Sequence, residues 1–214
     1  MELVTIQGST KRQEEPRVLT REQFHKLLEQ IDEEPFRTMV LMDMCLGLRC
    51  SELLALKWLD FDWENLTVLV QRAIVGGRVD TVKTKYSRTR VPLDPVLAEV
   101  LLNWKRRSPF SKAEDWVFAS PFQAGEMPYR PWGIQQRRIK PAAQRAGVGD
   151  GIGWHTFRHT YRSWLDETGA PLGVQQELMR HASIQTTMNI YGAAMADSKR
   201  GANSKVVQMV MGAL

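Results

Sequence analysis

The chain has 214 residues, of which 43% are hydrophobic and 25% are charged, a composition typical of one soluble domain with its own apolar core. Lysine and arginine outnumber the acidic residues by 29 to 24, so the formal net charge of +5 is modest and the placement of the basic residues matters more. No run approaches the roughly 18 apolar residues of a membrane span, and Cys45 and Cys50 form neither a disulfide framework nor a metal motif. These features exclude a membrane-spanning or disulfide-stapled secreted protein and predict a cytoplasmic one.

The first third of the chain predicts three helices behind a flexible lead. Residues 1–16 are polar and aperiodic, which is typical of a lead or linker. Thr20 and Gln23 have the spacing of a capping box, which predicts the start of a helix. A strongly apolar helix should run from about residue 35 to residue 46 and end at the glycine that follows. Ser51 resembles the N-cap of a short third helix.

The middle of the chain predicts strands. Residues 66–74 are rich in β-forming side chains, Gly76-Gly77 is a turn signal, and residues 78–82 and 88–93 can return as strands. We therefore expect one small antiparallel sheet among the helices, with the basic segment 81–90 at its edge or in a loop.

Helices should resume at Asp94-Pro95. Another helix should begin at Pro131, because proline suits the first turn of a helix, and should end near residue 146. Further helices are predicted over residues 156–168, 172–179 and 183–191. The fold class is therefore α+β, mostly helical, with a catalytic or binding domain over residues 17–192. Residues 193–214 form a tail with an apolar cluster that must dock, in cis or in trans, or stay frayed.

Four short segments carry residues that can bind and cleave a phosphodiester. An arginine such as Arg49 can offer its planar fork of donors to a phosphate, although a salt bridge with Glu52 is the structural alternative. His155 and Arg158 are three residues apart, so they share one face at the start of a helix. The segments are, in chain order, Leu46-Gly-Leu-Arg49-Cys-Ser-Glu52-Leu53, Lys83-Thr-Lys-Tyr-Ser-Arg88, His155-Thr-Phe-Arg158-His159 and the run from His181 to Tyr191.

In this order the segments resemble the tyrosine recombinase (phage integrase) family, and the resemblance covers residues 19–192. That family has an arginine after a Gly-Leu turn, a lysine on a β-hairpin, a His-x-x-Arg motif, a histidine or tryptophan, and a tyrosine nucleophile soon after. The resemblance implies the helical catalytic domain of these enzymes, with its small antiparallel sheet. The six catalytic positions are filled by Arg49, Lys83, His155, Arg158, His181 and Tyr191.

The resemblance implies site-specific cleavage and rejoining of DNA through a 3′-phosphotyrosyl intermediate, without a metal ion, another cofactor or ATP. Tyr191 would be the nucleophile, and His155 the base that accepts its proton. Arg49, Arg158 and His181 would neutralise the charge that develops on the phosphate oxygens.

Basic residues are concentrated in two stretches without acids, 81–90 and 130–145, which fits a polyanion-binding face, although a solvated helix surface is the alternative. The resemblance places the general acid for the leaving 5′-oxygen at Lys83, and the nearby Lys85 is the alternative. The candidates for contacts to the DNA backbone are Lys85, Arg88, Arg90, Arg137, Arg138, Lys140 and Arg180.

One departure from the family pattern and one rival arrangement bear on the site. The family often has Leu-Gly before the second histidine, where this chain has Met179-Arg180, so Arg180 is either a phosphate contact or a helix-capping cation. Glu52 is placed to orient Arg49 or His155, and His159 to pack or hydrogen-bond beneath the site. His155 and His159, four residues apart, could also bind zinc on a helix, but the glutamate of the metalloprotease pattern is absent and no third ligand is evident.

The expected partner is double-stranded DNA, with self-association on it into a synaptic tetramer in the full-length enzyme, and no membrane. The family also implies an N-terminal, all-helical DNA-clamping domain, which residues 1–16 cannot supply. The expected location is the cytoplasm, at the nucleoid, of a prokaryotic or phage-encoded protein. The alternatives are DNA relaxation of the type IB topoisomerase kind and a catalytically inactive DNA-binding relative.

Overall fold

The computed structural model describes residues 17–81, 89–180 and 192–212, which fold as helices with two small sheets. The helices are α1 (Arg21–Glu29), α2 (Phe36–Leu46), α3 (Cys50–Leu53), α4 (Pro95–Arg107), α5 (Pro131–Ile134), α6 (Lys140–Arg145), α7 (Trp154–Glu167), α8 (Leu172–Met179) and α9 (Gly192–Met211). The strands are β1 (Phe61–Asp62), β2 (Thr67–Val70), β3 (Arg72–Val75), β4 (Arg78–Thr81) and β5 (Thr89–Pro92). Among the described residues, no helix combines the length and the apolar character needed to cross a membrane.

Helix α2 is the centre of the core. Every residue from Thr38 to Leu46 is buried, and the helix contacts α4, α7 and α9. It ends, as predicted, at Gly47, which adopts the left-handed conformation that favours glycine (φ 56°). A β-carbon at Gly47 would also collide with the ring of Tyr161 on α7. The end of α2 is thus fixed by backbone conformation and by close packing together.

Local capping signals predicted several helix starts correctly. The Thr20 hydroxyl accepts the Gln23 amide at 3.2 Å, and the Gln23 side chain accepts the Thr20 amide at 3.0 Å, which completes the predicted capping box of α1. Asp94 caps α4 by accepting the Val96 amide at 2.9 Å. The third helix begins earlier than predicted, because its N-cap is Arg49 and not Ser51.

The prediction of a single sheet was wrong, because the strands form a three-stranded antiparallel sheet (β1-β2-β5) and a separate hairpin (β3–β4). The predicted continuous strand over 66–74 breaks at Gln71. The carboxylate of the buried Asp60 accepts the Gln71 side chain at 2.8 Å and forms an ion pair with Arg72. These contacts hold the chain at the junction between β2 and β3, where the two sheets separate.

The helix predicted from Pro131 is present but contains a widened π-helical turn over Gln135–Ile139. The turn lies just before Pro141, whose ring would clash with the Arg137 carbonyl in a regular α-helix. The helix predicted over 156–168 begins two residues earlier, at Trp154. The helix predicted over 183–191 lies outside the described residues.

The C-terminal helix α9 packs in cis on the rest of the described chain, where it contacts α2, α7 and α8. Val206, Val207 and Val210 are buried on its inner side. Asn203 is also buried, and its amide accepts the Tyr161 hydroxyl at 2.8 Å and donates to the Pro92 carbonyl at 3.2 Å. Helix α9 therefore joins α7 to strand β5.

The close approach at Gly47 gives a stability prediction with a matched control. Gly76 has nearly the same φ (59°), but nothing lies within 4 Å of the place its β-carbon would take. Gly76→Ala should therefore cost only the left-handed conformation, about 1–2 kcal/mol. Gly47→Ala should lower the free energy of unfolding by about 1–3 kcal/mol more, because it also overpacks the core. Urea denaturation measures both values, and equal losses would contradict the packing role of Gly47.

Candidate active site

Arg158 is buried and joins the ends of two helices. It lies on the inner face of α7, where its Nη1 donates to the Gly47 carbonyl at the end of α2, and its Nη2 donates to the Met179 carbonyl at the end of α8. The C-terminal end of a helix carries a partial negative charge, which favours a cation there. Burial, together with the nearby Arg180 and Arg49, lowers the pKa of Arg158 to about 10, so the guanidinium is still charged at neutral pH.

Arg49 lies beside this junction with its guanidinium partly in solvent. Its Nη1 donates to Glu52 Oε1 at 2.9 Å, and its backbone amide donates to Glu52 Oε2 at 2.9 Å. The side chain is 45% exposed. The salt bridge that was the structural alternative for Arg49 is therefore present, but a guanidinium has five N–H donors and the exposed ones can still reach a phosphate.

Glu52 is shared between two arginines. Its buried carboxylate also accepts Arg180 Nη2 at 2.6 Å, and the Arg180 side chain is only 2% exposed. Burial alone would raise the pKa of Glu52, but Arg180 and the bonds from Arg49 outweigh it and lower the pKa. Glu52 is therefore ionised, and it contacts Arg49, one of the two residues it was predicted to orient.

Asp43 is a buried acid that the sequence analysis missed. It lies on α2, neither carboxyl oxygen has a hydrogen-bond partner among the described residues, and Arg158, Arg180 and Glu52 are within electrostatic reach. Burial raises the pKa of Asp43 well above its usual value, and the arginines offset this only in part. The available signal was a single acid in the apolar run from Met39 to Leu46.

His155 is exposed at the start of α7, one turn before the buried Arg158. The start of α7 is held in place because the Trp154 indole donates to the Pro131 carbonyl at 3.0 Å, and the Gly153 amide donates to Thr156 Oγ1 at 3.2 Å. His159 is half-buried on the same helix. Within the described ranges, no group of three or more His, Cys, Asp or Glu residues is placed to hold a metal ion.

Comparison with known proteins decides the family. A model of the phage integrase family matches residues 17–198. The chain belongs to this family. Its members are tyrosine recombinases, which are DNA breaking and rejoining enzymes.

The chain spans about half the length of the family relatives that it matches. It is 31% identical to the ICEBs1 integrase of Bacillus subtilis over 181 residues, which cover 80% of this chain and 49% of that protein. It is 30% identical to a XerC-like tyrosine recombinase of Caldanaerobacter subterraneus over 201 residues, covering 85% of this chain and 51% of the relative.

Solved structures of family members confirm the predicted fold class. The Tn1549 transposon integrase in complex with circular intermediate DNA superposes with a TM-score of 0.69 at 20% identity, covering 88% of this chain and 68% of the other. The integrase from mycobacterium phage Brujita gives a TM-score of 0.66 at 22% identity, covering 96% and 67%. At these identities the likeness concerns the fold alone.

Three of the six family positions lie among the described residues: Arg49 and Arg158 lie at the ends of α2 and α8, and His155 is exposed on α7 one turn before Arg158. The other three, Lys83, His181 and Tyr191, lie outside the described residues, as do the candidate DNA-backbone contacts Lys85 and Arg88.

The described candidates for DNA-backbone contacts differ in exposure. Arg90 is exposed on β5, and Arg137 is exposed in the π-helical turn. Arg138 forms an ion pair with Glu33 at 2.8 Å and lies over the Phe36 ring, and Lys140 is half-buried at the start of α6. Arg180 is buried at the C-cap of α8, so its guanidinium faces Glu52 in this structure and not solvent.

Proposed function

We propose that this chain is the catalytic domain of a site-specific DNA recombinase or integrase, which cleaves and rejoins DNA through a 3′-phosphotyrosyl intermediate without metal or ATP. The observation that carries the proposal is the convergence of Arg49 and Arg158. Arg158 bonds the Gly47 carbonyl, two residues before Arg49, and the charge of Arg49 helps to lower the pKa of Arg158. An exposed guanidinium at Arg49 and a buried one at Arg158 therefore concentrate positive charge at the same helix ends, which favours the binding of a phosphate there.

The chemistry follows from charge and proton transfer. The Tyr191 oxygen attacks the phosphorus, a bond from tyrosine to the 3′-phosphate forms, and the bond to the 5′-oxygen breaks. Tyrosine has a pKa near 10, so it needs a base, and His155 takes that proton from the exposed start of α7. Lys83 gives a proton to the leaving 5′-oxygen. Arg49 and Arg158, with His181, balance the charge on the non-bridging oxygens.

The intermediate explains why no energy source is required. A phosphotyrosyl diester replaces one phosphodiester with another, so the 5′-hydroxyl of a second strand can reverse the step and complete an exchange. Exchange requires copies of the enzyme to associate on double-stranded DNA, in the cytoplasm and at the nucleoid. Support for a DNA partner comes from relatives of the same fold, such as the Tn1549 integrase in complex with circular intermediate DNA and XerH bound to its difH substrate.

The first test of the proposal concerns the nucleophile. On a nicked suicide duplex, Tyr191→Phe should abolish the covalent protein–DNA adduct, because the attacking oxygen is gone. DNA affinity should stay within about threefold, since affinity rests on many phosphate contacts. Tyr129→Phe, which removes a half-buried hydroxyl elsewhere, is the matched control and should retain the adduct. An undiminished adduct in Tyr191→Phe, detected by denaturing electrophoresis, would refute the assignment.

A second test separates Lys83 from Lys85 as the general acid. Lys83→Ala should cleave normal DNA poorly, because the leaving 5′-oxygen receives no proton. A substrate with sulfur at the 5′-bridging position should restore cleavage, since a thiolate leaves without protonation. Lys85→Ala is the control and should show no such rescue. Rescue of Lys85→Ala in place of Lys83→Ala would transfer the role to Lys85.

A further inference from the structure

Arg180 occupies a position at which its backbone is strained. It adopts a left-handed conformation (φ 50°) at the C-cap of α8, where a side chain is unfavourable and glycine is the usual residue. An arginine there needs a compensating interaction, because both the strain and the burial of its charge are costly.

The compensating interaction is with Glu52. Nη2 of Arg180 donates to Glu52 Oε2 at 2.6 Å, and Nη1 donates to the Leu178 carbonyl at 3.1 Å. The two residues are separated by 128 positions in sequence, and both side chains are buried. An ion pair between buried groups is weakly screened by salt or water.

The ion pair between Arg180 and Glu52 affects how much positive charge Arg49 can offer to a phosphate. Glu52 also binds Arg49, whose guanidinium is the exposed one at the site. If Glu52 had no other partner, its negative charge would be balanced by Arg49 alone, and Arg49 would attract an anion less strongly. Arg180 balances Glu52 from the buried side, while the raised pKa of Asp43 favours its neutral carboxyl. Arg49, the exposed guanidinium, then keeps its positive charge for the substrate.

We propose that Arg180 is a positioning residue, which neutralises Glu52 from inside the fold, so that Arg49 keeps its positive charge for the scissile phosphate while it remains hydrogen-bonded to Glu52. This inference rests on the proposed function. It differs from the expectation that Arg180 contacts the DNA backbone, because Arg180 acts through Glu52 and does not touch the DNA.

Single-turnover cleavage of the nicked suicide duplex by the full chain tests this inference. Arg180→Gln should slow cleavage by roughly tenfold or more, because the charge of Glu52 is then balanced by Arg49 alone and Arg49 attracts the phosphate less strongly. Arg180→Lys keeps the charge and should recover most of the rate. Arg37→Gln is the matched control, since Arg37 also donates to backbone carbonyls, those of Leu28 and Ile31, but away from the site, and its rate should equal that of the wild type.

The double variant Glu52→Gln/Arg180→Gln gives the decisive comparison. With Glu52 uncharged, Arg180 has nothing to neutralise, so the double variant should cleave within about threefold of Glu52→Gln alone. It also removes both buried charges together, which protects against misfolding caused by one unpaired charge. If Arg180→Gln slows cleavage by the same factor with and without the Glu52 charge, the inference is wrong.

Salt dependence separates the inference from a direct phosphate contact. Loss of a direct phosphate contact at Arg180 would reduce the slope of log affinity against log salt by about 0.9 whether or not Glu52 is charged. If Arg180 acts through Glu52, the slope of the double variant Glu52→Gln/Arg180→Gln should equal that of Glu52→Gln alone. A slope lower by about 0.9 in the double variant than in Glu52→Gln would therefore overturn the inference while leaving the proposed function intact. Absence of a covalent adduct with the wild type would overturn the proposed function, and the inference with it.

Discussion

The bridge that Arg158 makes between two helix ends is the interaction on which the site depends. Its guanidinium bonds the terminal carbonyls of α2 and α8, so it fixes the segments that leave these helices. One segment leads through Gly47 to Arg49, and the other leads to Arg180. The buried guanidinium is stable there because carbonyl groups at helix ends supply negative potential. The same contact that holds the fold together thereby places the charges of the site.

The site concentrates positive charge before any substrate binds. Arg49, Arg158 and Arg180 lie near one another, and their mutual repulsion contributes to the lowered pKa of Arg158. Glu52 is the ionised carboxylate that holds two of them together. A phosphate would relieve the remaining repulsion, and fixed donors that need no reorganisation stabilise developing charge most effectively. The arrangement therefore suits a reaction in which negative charge grows on phosphate oxygens.

Much of the fold could be predicted from local sequence signals. The features that depend on long-range contacts could not be predicted in this way. The Thr20 capping box and the stop at Gly47 depend on a few neighbouring residues, and the structure confirms both. The break between β2 and β3 lies where Asp60 contacts Gln71 and Arg72, and a local pattern of β-forming residues does not reveal these contacts. The burial of Arg180 against Glu52 depends on packing across the whole domain. The ordered set of motifs identified the family. It did not predict the buried acid Asp43, nor the contact of Arg180 with Glu52 that balances the charge beside Arg49.

The segment 181–191, which contains His181 and Tyr191, is bounded by Arg180 at the site and by α9, which is anchored on the core. The most direct measurement is to identify the residue that becomes joined to DNA. Protease digestion of the trapped adduct and mass spectrometry of the DNA-linked peptide should find a 3′-phosphotyrosyl bond at Tyr191. A bond to Tyr86 or Tyr129, or a 5′-linked adduct, would contradict the proposed mechanism.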